Sequence, residues 1–289
     1  VSSVSSNEIA KNAPRSAAEI FRNIPGIRSE STGGEGNANI AVRGLPVASG
    51  GAKFMQLHED GLPILEFGDI AFGNADIFLR ADYSIKRIEA IRGGSASTFI
   101  SNSPGGVINM ISNTGEEEGG TVALTRGLDY NTTRADFAYG GALSDSMRFH
   151  VAGFYRIGEG PREAGYNGNK GGQIKANITK EFDNGFVRLY FKHLNDRAIG
   201  YLPMPVKVTG SNDDPTFGSV AGFDVSSDTP HSPYFATNFG IDGDGNRRTA
   251  NVSDGMRPVS TVIGGEFNFD ITDDWNVSNK IRVASNKGR

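Results

Sequence analysis

At 289 residues, with 37% hydrophobic and 21% charged residues and a formal charge of -4, the chain has an ordinary globular composition. It has no basic surplus for a nucleic-acid footprint. It contains no cysteine, which excludes disulfide staples, thiolate metal sites and cysteine nucleophiles. Thirty-nine glycines against 12 prolines suit many strands joined by many turns, and no run approaches the roughly 18–20 apolar residues of a membrane helix.

Val1 to Asn7 has neither a charged start nor an apolar run, so no signal peptide is expected within the chain. Ser16-Ala17-Ala18-Glu19 predicts a capping box, followed by an apolar stripe of Ala17, Ile20, Phe21 and Ile24 that Pro25-Gly26 ends. Short β-like runs follow at Asn39–Arg43, Phe54–Glu59, Lys86–Arg92 and Gly106–Ile111, with a helical turn predicted over Asn74–Arg80. Residues 1–115 therefore read as a small, turn-rich α+β unit.

From Gly119 the period changes to two, in seven segments. Val122 and Leu124 begin it, Phe137 and Tyr139 continue it, and Phe149, Val151, Tyr155 and Ile157 alternate with Arg148, His150 and Arg156. Ile174, Ala176 and Ile178 then alternate with Lys175, Asn177 and Thr179, and Val187, Leu189 and Phe191 with Arg188, Tyr190 and Lys192. The last two segments set Ile263, Phe267 and Phe269 against Glu266 and Asn268, and Val277, Ile281 and Val283 against Asn276, Lys280 and Arg282. A strand of about 10 residues, tilted, crosses the roughly 25 Å apolar band of an outer membrane.

A soluble β-sandwich would also alternate. The connections decide between the two. Those after segments two, four and six are tight (Leu143–Ser146, Asp183–Gly185, Thr272–Asp274), whereas those after one, three and five grow to about sixty residues. Barrels have this asymmetry, with short periplasmic turns and long extracellular loops. Phe182, Phe186, Phe269 and Trp275 gather near the tight end, as an interfacial girdle would. Residues 116–289 are thus expected to be an incomplete antiparallel transmembrane β-barrel. An odd strand count predicts that the chain is a fragment.

Five motifs in order now carry a family resemblance: Ile24-Pro25-Gly26-Ile27, Ile40-Ala41-Val42-Arg43-Gly44-Leu45, Glu59-Asp60-Gly61-Leu62-Pro63, Ile88-Glu89-Ala90-Ile91-Arg92-Gly93 and Pro104-Gly105-Gly106-Val107-Ile108-Asn109. Together they resemble the plug of TonB-dependent outer-membrane receptors. The resemblance implies a barrel of about 22 strands occluded by the plug. It also implies an outer-membrane location and active import of a scarce solute, a ferric siderophore first and a carbohydrate or other organic nutrient as the alternative. The implied partners are the TonB energy-transducing complex, acting through a TonB box not recognisable in these residues, the small-molecule ligand and outer-membrane lipid. A passive porin or surface-binding barrel would lack the plug motifs.

Arg43, Gly44, Asp60, Gly61, Arg92, Gly93, Gly105 and Gly106 read as plug gating and structural residues, the glycines for turns or close backbone approach. By resemblance, Arg43 and Arg92 would pair with barrel-wall carboxylates lying beyond Arg289. The ligand-facing plug apices select Lys53, Phe67, Asp69 and Phe72. The long connection from Ala198 to Arg257 carries seven Asp against one Lys and three Arg, which disfavours a strongly anionic ligand.

No catalytic, cofactor or metal site is expected, and the chain is read as no enzyme. Asp242-Gly243-Asp244-Gly245-Asn246 starts like a calcium loop, but Arg247 and Ser253 stand where Gly and Glu belong, so a solvated turn is predicted. His58-Glu59-Asp60 is read as a strand end because no second His stands at ligand spacing.

Overall fold

A small domain with a buried apolar core sits against one face of a seven-stranded wall. The structure is a computed structural model that describes residues 2–31, 35–46, 54–66, 69–70, 73–94, 100–201, 203–230 and 237–288. The N-terminal strand β1 (Ser2–Ser5) runs directly into helix α1 (Ser6–Asn12). Ser5 caps α1 by a complete capping box: its amide donates to Glu8 Oε2 at 2.7 Å and its Oγ accepts from the Glu8 amide at 3.4 Å. Helix α2 (Ala17–Phe21) is capped by Ser16, as the sequence predicts. Glu19, however, does not return to the Ser16 amide. Its carboxylate takes the Arg15 amide at 2.7 Å and the Arg15 guanidinium at 2.8 Å, because the neighbouring cation outbids a neutral donor.

Strands β2 (Ile27–Ser31) and β3 (Ala38–Val42) form a hairpin, and β4 (Met55–Glu59) turns into β5 (Leu62–Pro63). Asp60 and Gly61 join the latter pair with φ of 54° and 85°, the two positive values that a type I′ hairpin turn needs. Strands β6 (Asp69–Ile70) and β7 (Gly73–Asn74) precede a 3₁₀ turn at Ala75–Phe78, where the sequence predicts a helical turn. Strand β8 (Ile85–Arg92) and strand β9 (Gly106–Ser112) complete a sheet of order β1-β8-β9-β4-β5, in which only β4 and β9 run parallel. Ile20, Phe21, Ile24, Leu57, Ile88 and Ile108 are its fully buried centre.

Gly106 is held where no side chain fits. Its φ is 131°, and a Cβ there would lie 2.1 Å from the Ile91 carbonyl oxygen. Gly106→Ala is therefore expected to cost at least about 2–3 kcal/mol, through backbone strain and a parted β8–β9 ladder. Faster hydrogen exchange along β8 and β9 would report it, and wild-type protection would refute it.

The wall is one antiparallel sheet of β10 (Gly119–Arg126), β11 (Thr132–Ser144), β12 (Met147–Gly158), β13 (Asn169–Phe182) and β14 (Gly185–Arg197). It continues after two excursions through β19 (Val259–Thr272) and β20 (Trp275–Lys287). These are the seven predicted segments, joined in sequence order by consecutive hairpins. The excursions are two exposed hairpins, β15 (Lys207–Gly210) with β16 (Pro215–Gly218) and β17 (Thr237–Ile241) with β18 (Arg247–Asn251). Asp242 to Asn246 makes the turn of the second, with Asp242 Oδ1 accepting the Asp244 and Asn246 amides. No helix among the described residues is long and apolar enough to cross a membrane, so a crossing falls to these strands.

The two faces of the wall differ as the alternation predicts. Leu189 and Phe191 stand exposed on the outside, while Lys192, the next residue, is buried against the N-terminal domain. Phe182 and Phe269 meet at 5.6 Å on the outer face near the tight turns. Phe186 departs from the predicted girdle. It shares the lumen-facing register of Arg188, whose guanidinium lies 5.1 Å from its ring.

Candidate functional site

Lumen-facing charges of the wall meet the N-terminal domain at three heights. Nearest the long connections, Asp196 at the end of β14 receives Arg80 Nε at 2.6 Å and Arg156 Nη2 at 2.6 Å, with Arg156 Nε on its other oxygen at 2.9 Å. Glu35, in the turn between β2 and β3, pairs with the same Arg156 and lies 3.6 Å from Arg80. The side chains of Arg80 and Asp196 are fully buried, so two cations and two anions form a neutral, desolvated group.

At mid-height, Glu59 accepts Lys175 Nζ at 2.8 Å and Lys192 Nζ at 2.9 Å. The two lysines are finished by Ser112 Oγ and the Phe78 carbonyl, each at 2.9 Å. Burial would raise the Glu59 carboxyl, but the two ammonium groups outweigh it and hold it well below the usual carboxylate range. Asp60, the next residue, accepts the Ser112 amide and hydroxyl, both at 2.7 Å, and so fixes the turn that presents Glu59. At Asp76 burial outweighs the Ala38 amide and the Arg80 guanidinium, and the carboxyl is pushed up to about 7.

Nearer the tight turns, Glu266 takes Arg188 and Lys280 at 3.0 Å each. Lys280 Nζ also donates to the Asp60 carbonyl at 3.0 Å, and Arg282 donates to that of Pro63. Amide side chains fill the intervals, with Gln173 donating to Asp82 at 2.7 Å and Asn177 to the Asn113 carbonyl at 2.8 Å. Polar contacts at three levels, buried at the first two, hold the N-terminal domain as a wedge against the lumen face of the wall.

Beside the wedge, a cavity of about 650 Å³ opens between α1, α2 and strands β10–β12. Tyr83, Tyr130 and Tyr201 line it together with Arg15, Arg134 and Arg162. Its cations are already engaged: Arg15 binds Glu19, Arg134 binds Asp136 at 2.6 Å, and Arg162 donates to the Val225 carbonyl at 2.5 Å.

Of the predicted ligand-facing residues, Lys53, Phe67 and Phe72 lie outside the described residues, and Asp69 begins β6. The predicted plug residues gather at two turns. Arg43 and Gly44, with φ of 46° and 79°, end the β2–β3 hairpin near Arg92 and Gly93, whereas Asp60 and Gly61 face Lys280. Gly105 is pressed to the Phe54 carbonyl immediately before Gly106 starts β9. Within this chain Arg92 is engaged inside the N-terminal domain, donating to the Pro25 carbonyl and, at 2.6 Å, to Ser2 Oγ.

Sequence reasoning missed Glu35, Arg80, Glu59 as a pairing residue, and the wall charges Arg156, Lys175, Lys192 and Asp196. One signal was available: charges at lumen-facing positions in mid-strand must find partners.

A small domain packed on the lumen face of a seven-stranded antiparallel wall is the architecture of a plugged β-barrel. Residues 1–107 match the family model of the TonB-dependent receptor plug domain. The chain is 30% identical over 193 residues to a vitamin B12 transporter of Vibrio vulnificus, a match covering 63% of this chain and 30% of that protein. It is 29% identical over 171 residues to the ferrienterobactin receptor of Escherichia coli, covering 53% of this chain and 22% of that one. Its fold overlays the ferric yersiniabactin uptake receptor of Yersinia pestis with a TM-score of 0.64 at 16% identity, over 99% of this chain and 41% of that one. Residues 1–107 are thus a TonB-dependent receptor plug domain, and the chain resembles TonB-dependent receptors of the bacterial outer membrane. It spans about a third or less of the length of the curated relatives it matches.

Proposed function

We propose that this chain serves TonB-dependent active import across the outer membrane, with a ferric siderophore as the favoured cargo and no covalent chemistry. The observation that carries the reading is the plug wedged by Glu59 and Asp196 against the lumen wall, since a passive pore has no use for a buried, ion-paired stopper. Kinship supports the cargo class, because relatives and fold neighbours include receptors named for ferric chelates. Within this reading residues 1–115 act as plug and 116–289 as wall, with the TonB complex and the ligand as partners. Lys53, Phe67, Asp69 and Phe72 are proposed as ligand-facing, and Arg43, Gly44, Asp60, Gly61, Arg92, Gly93, Gly105 and Gly106 as plug framework.

A second cargo class, a neutral polyhydroxy compound such as a glycan, is favoured by one feature. Of the arginines of the tyrosine-lined cavity, Arg15 and Arg134 are neutralised by carboxylates and Arg162 is held by a carbonyl, which leaves aromatic faces and hydrogen bonds prominent. Uptake of a panel of labelled ferric chelates and oligosaccharides, in receptor-deleted cells carrying the full-length gene, separates the two. Chelate uptake that vanishes without TonB is the expected result. Uptake unchanged in cells lacking TonB would overturn active import, and TonB-dependent uptake of glycans alone would transfer the reading to the second class.

A further inference from the structure

Behind the wall-side ion pairs lies a buried carboxyl that none of them uses. Asp76 stands in the 3₁₀ turn Ala75–Phe78 with 1% of its surface exposed. Its Oδ2 accepts the Ala38 amide of β3 at 3.0 Å, and Asn74, two residues earlier, donates to the Ala38 carbonyl at 2.7 Å. Side chains thus grip both polar groups of one strand residue, and the β2–β3 hairpin is fastened to the turn at that point. The remaining oxygens of the grip are bare. Asp76 Oδ1 and Asn74 Oδ1 are buried and take no hydrogen bond among the described residues, nor does Oε1 of Glu35 in the hairpin turn. A buried carboxylate with a bare oxygen is costly, and a proton cancels the charge while making that oxygen a donor.

The charges around Asp76 act in the same direction. Glu35 repels its carboxylate, and Arg80, which attracts it, already gives Nε to Asp196 and Nη1 to the Ile77 and Leu79 carbonyls. Arg156 of β12 is divided between Glu35 and Asp196. On β4, which packs against the turn, Glu59 is taken by Lys175 and Lys192, and His58 is bonded to Gln56 at 2.7 Å. Lys192 also donates to the Phe78 carbonyl of the turn. With Asp76 ionised, three carboxylates face the two guanidiniums of Arg80 and Arg156; with it protonated, two face two. Burial outweighs the attractions and holds the carboxyl at about 7 instead of 3.8.

We propose that Asp76 holds a proton while the β2–β3 hairpin is seated and releases it when the hairpin lifts, which makes the hairpin a proton-linked latch of the plug. Lifting also carries Glu35 away from Arg156, so the latch is coupled to the wall-side ion pairs. It depends on the packing of the plug and is independent of the solute imported. Below the ordinary carboxyl range the seated and lifted states are both protonated, and the latch is strongest. As pH rises the lifted state ionises first, and the latch weakens until it levels off above about 7.

Hydrogen exchange of the Ala38 amide and its β3 neighbours, in the full-length receptor in mild detergent and corrected for the intrinsic rate, reads the latch. Between about pH 6 and about pH 8, wild-type protection is expected to fall about tenfold, the ratio that a shift from 3.8 to about 7 gives over that interval. Asp76→Asn keeps an oxygen for the Ala38 amide and has no proton to lose, so its protection should be equal at the two pH values. Infrared spectra of wild type carrying isotope-labelled aspartate read the proton without any variant. A labelled band of protonated carboxyl should be present at the lower pH and vanish at the higher. Wild-type protection independent of pH, an equal pH dependence in Asp76→Asn, or no such band at the lower pH would each overturn the latch.

Discussion

Replacing Glu59 by glutamine in the full-length receptor is expected to loosen the plug from the wall and make the barrel leak. The substitution keeps volume but removes the one negative charge shared by Lys175 and Lys192, whose side chains are about one-eighth exposed or less. Breaking a buried pair by removing one partner costs about 3–5 kcal/mol, because the charges left behind have lost their solvent as well as their partner. Here two ammonium groups are left, and part of the cost returns when one of them sheds its proton. The double variant Glu59→Gln, Lys192→Gln should therefore be less damaged than the sum of the singles, a coupling that a double-mutant cycle measures directly.

The pH dependence has a definite sign. A carboxyl lowered by its folded surroundings contributes fully above its ordinary pKa of 4.5 and progressively less as pH falls toward the lowered value. The gap between wild type and Glu59→Gln should be full at neutral pH and narrow on acidification below that point. Entry of a bulky antibiotic, or conductance in a planar bilayer, reads the leak. Wild-type permeability in the variant would show that the wedge is held elsewhere.

How much of this was legible in the sequence depends on the range of the physics that shaped each part. The wall strands were legible because a membrane on one side and a lumen on the other force a period of two at every turn, as Val187 to Lys192 shows within six residues. Asp60-Gly61 was legible as a turn because its φ values are a local demand. Strand β1 was not, since four residues of Ser and Val mean nothing until β8, some 85 residues away, supplies their ladder. Helix α1 could have been found, because Ser5 and Glu8 form a complete capping box. The pairings of Glu59 with Lys175 and of Arg80 with Asp196 both span 116 residues. Alternation says that Lys175 and Asp196 face inward, but not at what height or against which plug residue.

Asp196→Asn is expected to be at least as damaging as Glu59→Gln, and without the escape that deprotonation offers. Arg80 and Arg156 lose the carboxylate they approach at 2.6 Å, and Glu35 is the one anion left in ion-pair range of both. A guanidinium cannot shed its proton at any pH a protein survives, so the full charge stays buried. Removing the matching cation should relieve it: Asp196→Asn combined with Arg80→Gln leaves Arg156 and Glu35 as a neutral pair. Recovery in that double variant would separate charge imbalance from simple loss of packing, which a second truncation would only worsen. The readout is hydrogen exchange at Ala38–Val42, whose hairpin turn Glu35 ties to the wall, together with protease cleavage of the plug in the folded receptor. Exchange should rise by two orders of magnitude or more, the equivalent of about 3 kcal/mol of lost local stability. Glu35→Gln should move it less, because Asp196 still holds both arginines. Equal effects from the two substitutions would mean that the hairpin, and not the wall carboxylate, organises this end of the wedge.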